Sequence, residues 1–346
     1  MEPQFLIRSV REDDLDALFR LAEMVYFINL PADQAILREK IRVSVDSFCG
    51  DIEDKFAREY IFVLERVDEE EKREIVGTSM ILARHGTPDE PHMYFELREI
   101  HKYSETIHSG FIHKVMRLRF DYDGPTEIGG LVVHPEYRGF PGKLGRQLSF
   151  ARFAFIKMRR RCFKNHVLSE LMPPLTEDGE SILWEAVGRR FTNLSYQEAD
   201  RLSRRNKEFV TSLFPKGDIY TCLLPGEVRD AIGKVGEATE PVKHMLEKIG
   251  FRWRQHIDPF DGGPHYWADT DKITVVASTR KAKVSRKEPR KDGEGVTALV
   301  SSFDRKEFRC VQVPATVSRG LVSLSRRTQE LLAVGPGDAV YVTPLD

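Results

Sequence analysis

Residues 127–148 read Glu-Ile-Gly-Gly-Leu-Val-Val-His-Pro-Glu-Tyr-Arg-Gly-Phe-Pro-Gly-Lys-Leu-Gly-Arg-Gln-Leu, a buried strand, a glycine-rich turn and a helix start in immediate succession. Ile128, Leu131, Val132 and Val133 form a short apolar run that stops at Pro135, because proline cannot continue a ladder. Gly139, Gly142 and Gly145 then permit a sharp turn and a close approach of backbone to a ligand. The first N–H groups of the following helix lack intrahelical partners and carry the positive end of its dipole, so an anion belongs there. Lys143 is not followed by Ser or Thr, which excludes a Walker P-loop.

A chain of 346 residues suggests two domains, or one with large insertions. With 41% hydrophobic residues, 31% charged residues and a formal net charge of -1, it reads as soluble and globular, without a strong field for nucleic acid or an anionic membrane. The first residues lack a signal-peptide layout and no run approaches the ~18 apolar residues of a spanning helix, so a cytoplasmic location is expected. Cys49, Cys162, Cys222 and Cys310 form no C-x-x-C pair and are expected as free thiols.

Taken in order, 5–10 reads as a strand and the acidic stretch after Arg11 opens a helix carrying Leu15, Leu18, Phe19, Leu21 and Ala22. A second helix spans 31–48, and 60–65 and 75–83 form a hairpin around the charged turn 68–72. Strands are expected at 94–98 and 115–120. His85, His92, His101, His108 and His113 fall in this part, at spacings (7, 9, 7, 5) that match no compact ligand motif, so they read as scattered surface or substrate-facing histidines and no metal is expected. Residues 148–163 form a buried helix whose aromatic stripe is core, and 166–171 the next strand. Residues 174–241 read as a mainly helical insertion, with helical pieces at 182–191, 196–213 and 225–235, followed by a helix from 242 to a C-cap at Gly250. The tail from 272 has strand patterns between charged turns, and the basic stretch 280–291 reads as a solvated loop.

The apolar strand followed by Val-x-Pro-x-Tyr-Arg-Gly and Gly-x-x-Gly-x-x-Leu resembles the acyl-CoA motif of the GNAT superfamily of N-acyltransferases, with a loop from Arg138 to Gly142 longer than usual. The stretches 126–131, 184–191, 214–221, 246–252 and 257–264, the last reading Ile-Asp-Pro-Phe-Asp-Gly-Gly-Pro, narrow this to a resemblance to the arginine N-succinyltransferase family. The resemblance implies an α+β (mixed α/β) fold with a GNAT-like core over 1–271, the helical insertion, and a small β-barrel-like module over 272–346. It implies succinyl-CoA as acyl donor, with Leu131 at the position assigned to succinyl-CoA, and helices 15–22 and 31–48 walling the acceptor site. Gly236 stands where the family carries its proton-donating histidine.

Acyl transfer to an amine needs a base, donors for the oxyanion and a proton for the departing thiolate. Glu127 is the expected base, with a structural carboxylate or a guanidinium ligand as its other reading. The amide of Val132 or Val133 would polarise the thioester carbonyl, and Arg138, Gly139, Gly142, Lys143 and Gly145 would hold the pyrophosphate. Cys222, Tyr220 and His244 are candidates for the thiolate's proton, and Asp258 and Asp261 for a guanidinium, although aspartates in Asp-Gly-Gly-Pro also form turns. The expected function is succinyl transfer from succinyl-CoA to arginine or ornithine, by a homo- or hetero-oligomer binding acyl-CoA and a basic amino acid. The glycine at 236 leaves open a different donor or acceptor, or a non-catalytic CoA-binding subunit.

Overall fold

The computed structural model describes residues 4–25, 30–68, 72–203, 206–289, 295–304 and 306–345. Residues 69–71 of the acidic turn, 204–205 of the stretch 196–213 and 290–291 of the basic stretch lie outside them. The chain divides into two compact units, one of Met1–Arg84, Thr126–Asn165 and Asp269–Asp346, the other of His85–Pro125 and His166–Ala268.

Strands of the first unit run in the order Val317–Ser318, Leu321–Val322, Arg280–Val284, Ala339–Pro344, Val296–Phe303, Phe308–Ala315, Gln4–Ser9, Glu59–Val67, Arg73–Leu82 and Thr126–Val133. Neighbours pair antiparallel, except that Arg280–Val284 lies parallel to Leu321–Val322. The C-terminal strands continue the N-terminal ladder, with Cys310 opposite Ile7. Residues 280–284 are a strand rather than a loop: Ala282 and Val284 are buried between exposed Lys281 and Lys283, a period of two that the charge density hides.

Helix Leu144–Met158 buries its aromatic stripe, with Phe153, Phe155 and Ile156 fully enclosed. Phe155 meets Tyr60, Phe48 and Phe308 at ring separations of 4.9, 5.3 and 5.4 Å, tilted or edge-on as ring quadrupoles prefer. Helix Gln34–Cys49 starts at Asp33, whose Oδ1 accepts from the amides of Ala35 and Ile36, and stops at Gly50 with φ 87°. Its Leu37 and Ile41, with Leu18 and Leu21 of helix Leu15–Ala22, pack over Ile61, Val63, Met80 and Val132. Beside them Arg8 is buried in a bidentate pair with Asp14 at 2.7 and 2.9 Å, and Glu65 accepts from it at 2.9 Å. Burial pulls the Arg8 guanidinium down, but the two carboxylates outweigh it and raise it above its ordinary value.

In the second unit the order is His166–Glu170, Pro264–Asp269, Arg252–Ile257, His92–Ser104, Ser109–Asp121 and Ile219–Tyr220. The stretch 174–241 carries short pieces: a π turn at Trp184–Gly188, then Arg189–Thr192, Tyr196–Ser203, Glu208–Leu213 and Gly226–Ala231. Trp184 stacks on Phe260 with ring centroids 5.1 Å apart and planes 7° from parallel, and donates its indole N–H to the Leu194 carbonyl. A Cβ on Gly188 would strike that indole, so one stack explains the tryptophan, the glycine and the Phe260 loop together. All four cysteines are free, and no described helix is long and apolar enough to cross a membrane.

Candidate active site

The strand Thr126–Val133 carries a bulge. Thr78 pairs with Val132 and Met80 with Gly129, so Ser79 alone faces both Gly130 and Leu131. Gly130 absorbs the extra residue at φ 56°, where a Cβ would lie 3.0 Å from Met80. Beyond the bulge His134 donates its amide to the Val76 carbonyl at 2.8 Å. By the alternation of an antiparallel ladder, the Val132 amide faces the same neighbouring strand and the Val133 amide faces away. Of the two expected donor amides, that of Val133 thus faces away from this neighbouring strand and that of Val132 is tied to it, while Leu131, the position implied for succinyl-CoA, sits in the bulge.

The turn that follows is built from its own side chains. Tyr137 and Phe140 pack edge-on against Phe5 at 6.3 and 5.0 Å, and Arg138 Nε donates to the Val133 carbonyl at 3.1 Å. Left-handed backbone occurs at Gly139 (φ 78°) and at Lys143 (φ 52°), a position glycine usually takes. Gln147 Nε2 closes the loop onto the Gly142 carbonyl at 2.8 Å, and a Cβ on Gly142 would come within 2.9 Å of that nitrogen. Gly145 lies inside the helix rather than in the turn, and a Cβ there would come no nearer than 3.9 Å, to a Val133 methyl. No side chain of Lys143 caps the helix, and Arg138, Gly139 and Lys143 are exposed around its start. An amide terminus flanked by two cations can take a pyrophosphate.

At the other end of the same strand Glu127, 3% exposed, lies opposite Leu82 and lines a pocket of about 50 Å³ with Lys40, Glu59, Met80 and Gly129. Lys40 and Glu59 are paired at 3.0 Å. Arg152 on the motif helix donates to the Gly129 carbonyl at 3.1 Å and to Ser149 Oγ at 2.8 Å. Burial pulls this guanidinium down to about 9. In the sequence Arg152 is masked by the apolar helix around it, and a lone arginine between Ala151 and Phe153 on a buried face is its one signal.

In the second unit, Asp258 Oδ1 accepts from the amides of Phe260 and Asp261, and Asp261 Oδ1 from that of Gly263 at 2.7 Å, so both aspartates are engaged as turn formers. Burial raises Asp258 to about 7 and, with Asp258 as its neighbour, Asp261 well above the usual carboxylate range. Tyr220 packs edge-on against His113, and Cys222 Sγ lies 3.9 Å from its Nδ1. His244 is exposed, 3.7 Å from Glu240. Gly236 has an ordinary φ of -66°, but a Cβ there would meet the Pro173 carbonyl oxygen at 2.8 Å. His85 and His92 are not scattered: their rings lie 4.5 Å apart and His92 is 1% exposed.

A family model described as "arginine N-succinyltransferase beta subunit" matches residues 5–275, and that of the family's C-terminal domain matches 280–344. The chain belongs to the arginine N-succinyltransferase family. It is similar to the arginine N-succinyltransferase subunit beta of Pseudomonas aeruginosa, 32% identical with 98% of each chain covered. It is also similar to the arginine N-succinyltransferase of Shigella dysenteriae, 30% identical over 98% of this chain and 97% of that one. The solved structure of arginine/ornithine succinyltransferase subunit AI from Pseudomonas aeruginosa superposes with a TM-score of 0.85 at 28% identity, all of both chains being covered. Family and fold therefore agree over the whole length, and the α+β fold has a GNAT-like core.

Proposed function

We propose that the chain transfers a succinyl group from succinyl-CoA to the α-amine of arginine or ornithine. The observation that carries this reading is the bulged strand leading into an uncapped helix terminus, in a chain of the arginine N-succinyltransferase family. The pyrophosphate of CoA lies on the amides at the start of helix Leu144–Met158, with Arg138 and Lys143 supplying charge and Gly139, Gly142 and Gly145 clearance. The thioester carbonyl takes its hydrogen bond from the amide of Leu131 or Val133, because alternation ties Val132 into the ladder.

Glu127 accepts the proton of the incoming ammonium. Its buried position at the wall of a pocket that also holds Lys40 and Glu59 supports the role. A pocket of about 50 Å³ takes the reacting end of an acceptor, not a whole amino acid. The relative named as a subunit beta supports assembly into an oligomer.

The test is release of CoA thiol by the purified chain, with succinyl-CoA and acetyl-CoA crossed against arginine, ornithine and lysine. Release with succinyl-CoA and arginine or ornithine, lowered about 10²- to 10⁴-fold in Glu127→Gln, supports the reading. Release only with acetyl-CoA, or tight CoA binding without release for any pair, rejects it.

A further inference from the structure

The second unit gathers side chains that acyl transfer does not use. His85 and His92 flank the turn into strand His92–Ser104, where Gly86 adopts φ 92° and a Cβ would press on the His92 amide at 2.8 Å. Glu170 ends strand His166–Glu170, and His265 is the second residue of strand Pro264–Asp269. Glu170 Oε1 lies 3.4 Å from His92 Nε2 and 3.5 Å from His265 Nε2, and the His92 and His265 rings stack at 5.3 Å. One ligand atom from each of His85, His92 and Glu170 falls within a mutual 4.8 Å, as does one from each of Glu170, Asp258 and His265.

We propose that Glu170, Asp258 and His265 form a binding site for a divalent first-row transition ion of the Zn²⁺ type, with a fourth position left for solvent. Around a tetrahedral ion, bonds of ~2.0–2.2 Å place neighbouring ligand atoms ~3.3–3.5 Å apart. The Glu170–His265 separation has that length, and a carboxylate oxygen of Asp258 falls within 4.8 Å of both ligand atoms. His265 supplies a separate observation: it is 0% exposed and neither ring nitrogen makes a hydrogen bond. A buried imidazole whose nitrogens make no hydrogen bond carries a desolvation cost that a metal bond to one of them lowers. An imidazole with two carboxylates suits zinc and its neighbours rather than calcium or magnesium, which prefer oxygen throughout. The Glu170 side chain is 28% exposed, so an ion can enter from its side. Asp258 Oδ1 accepts two backbone hydrogen bonds, which hold its carboxylate in place within the group.

The experiment titrates the chelator-treated full chain with Zn²⁺ against a chromophoric competitor, and with Co²⁺ while recording visible absorption. The expected result is one equivalent bound with micromolar or tighter affinity, an intense four-coordinate Co²⁺ spectrum, and at least tenfold weaker binding in His265→Ala and in the near-isosteric Glu170→Gln. His244→Ala, an exposed histidine elsewhere, is expected to bind as the parent does. Absence of binding, or binding unchanged in a Glu170→Gln protein whose circular dichroism matches the parent, overturns the proposal. Metal binding is read without turnover, so the result is independent of the acyl-transfer reading.

Discussion

Two residues test how far single contacts decide the behaviour of this chain. Asp14 holds Arg8 through two hydrogen bonds, and both side chains are almost fully enclosed. Replacing Asp14 by alanine strips a buried cation of its bidentate partner, and about 3–5 kcal/mol of stability is expected to be lost, read from urea unfolding. The same two residues lie in the stretch that the sequence presents as a strand followed by an acidic helix start, where a cap and an ion-pair partner look alike. Gly236 tests the opposite case. A histidine there would place its Cβ against the Pro173 carbonyl, so Gly236→His is expected to cost about 1–3 kcal/mol and not to raise turnover. Increased activity with undiminished stability would show that the backbone at 172–173 yields easily.

At the scale of an element, the bulge in Thr126–Val133 connects sequence to chemistry. The glycine pair, the apolar run and the following turn were legible, because each has a period or a backbone requirement of its own. The register of the bulge was not, since it depends on which residues of Arg73–Leu82 sit opposite. Gly130→Ala places a Cβ in the left-handed region beside Met80, and it is expected to cost about 1–2 kcal/mol. It is also expected to weaken turnover more than CoA binding, because the proposed pyrophosphate site lies beyond the bulge; equal losses in both, from steady-state kinetics and calorimetry, would count against the proposed donors. The pairing of His85 with His92 was hidden for a similar reason. His85 and His92 meet Glu170 and His265 only after strands distant in sequence come together.

Across the whole molecule, the fold class and family were legible because motifs recur in order along the chain. The joining of the C-terminal strands to the N-terminal ladder was not, because strand pairing between residues 7 and 310 leaves no local mark. That joint carries its own pH dependence. Burial pushes Glu307 up, but hydrogen bonds from Arg11 and Arg309 outweigh it and hold its carboxyl below the ordinary range. A depressed carboxylate stabilises the fold above its unfolded value of about 4.3, and that contribution is lost as pH falls through the folded value. The difference in urea midpoint between the parent and Glu307→Gln is therefore expected to be constant from neutrality to about pH 5 and to close below about pH 4. A difference independent of pH would contradict the assignment.

The most direct test of the central claim is mass spectrometry of the amino acid after incubation with the purified chain and succinyl-CoA. The account predicts an arginine or ornithine product carrying one succinyl group on its α-nitrogen, formed in step with free CoA. Unmodified amino acid beside free succinate, or no consumption of succinyl-CoA, would contradict it.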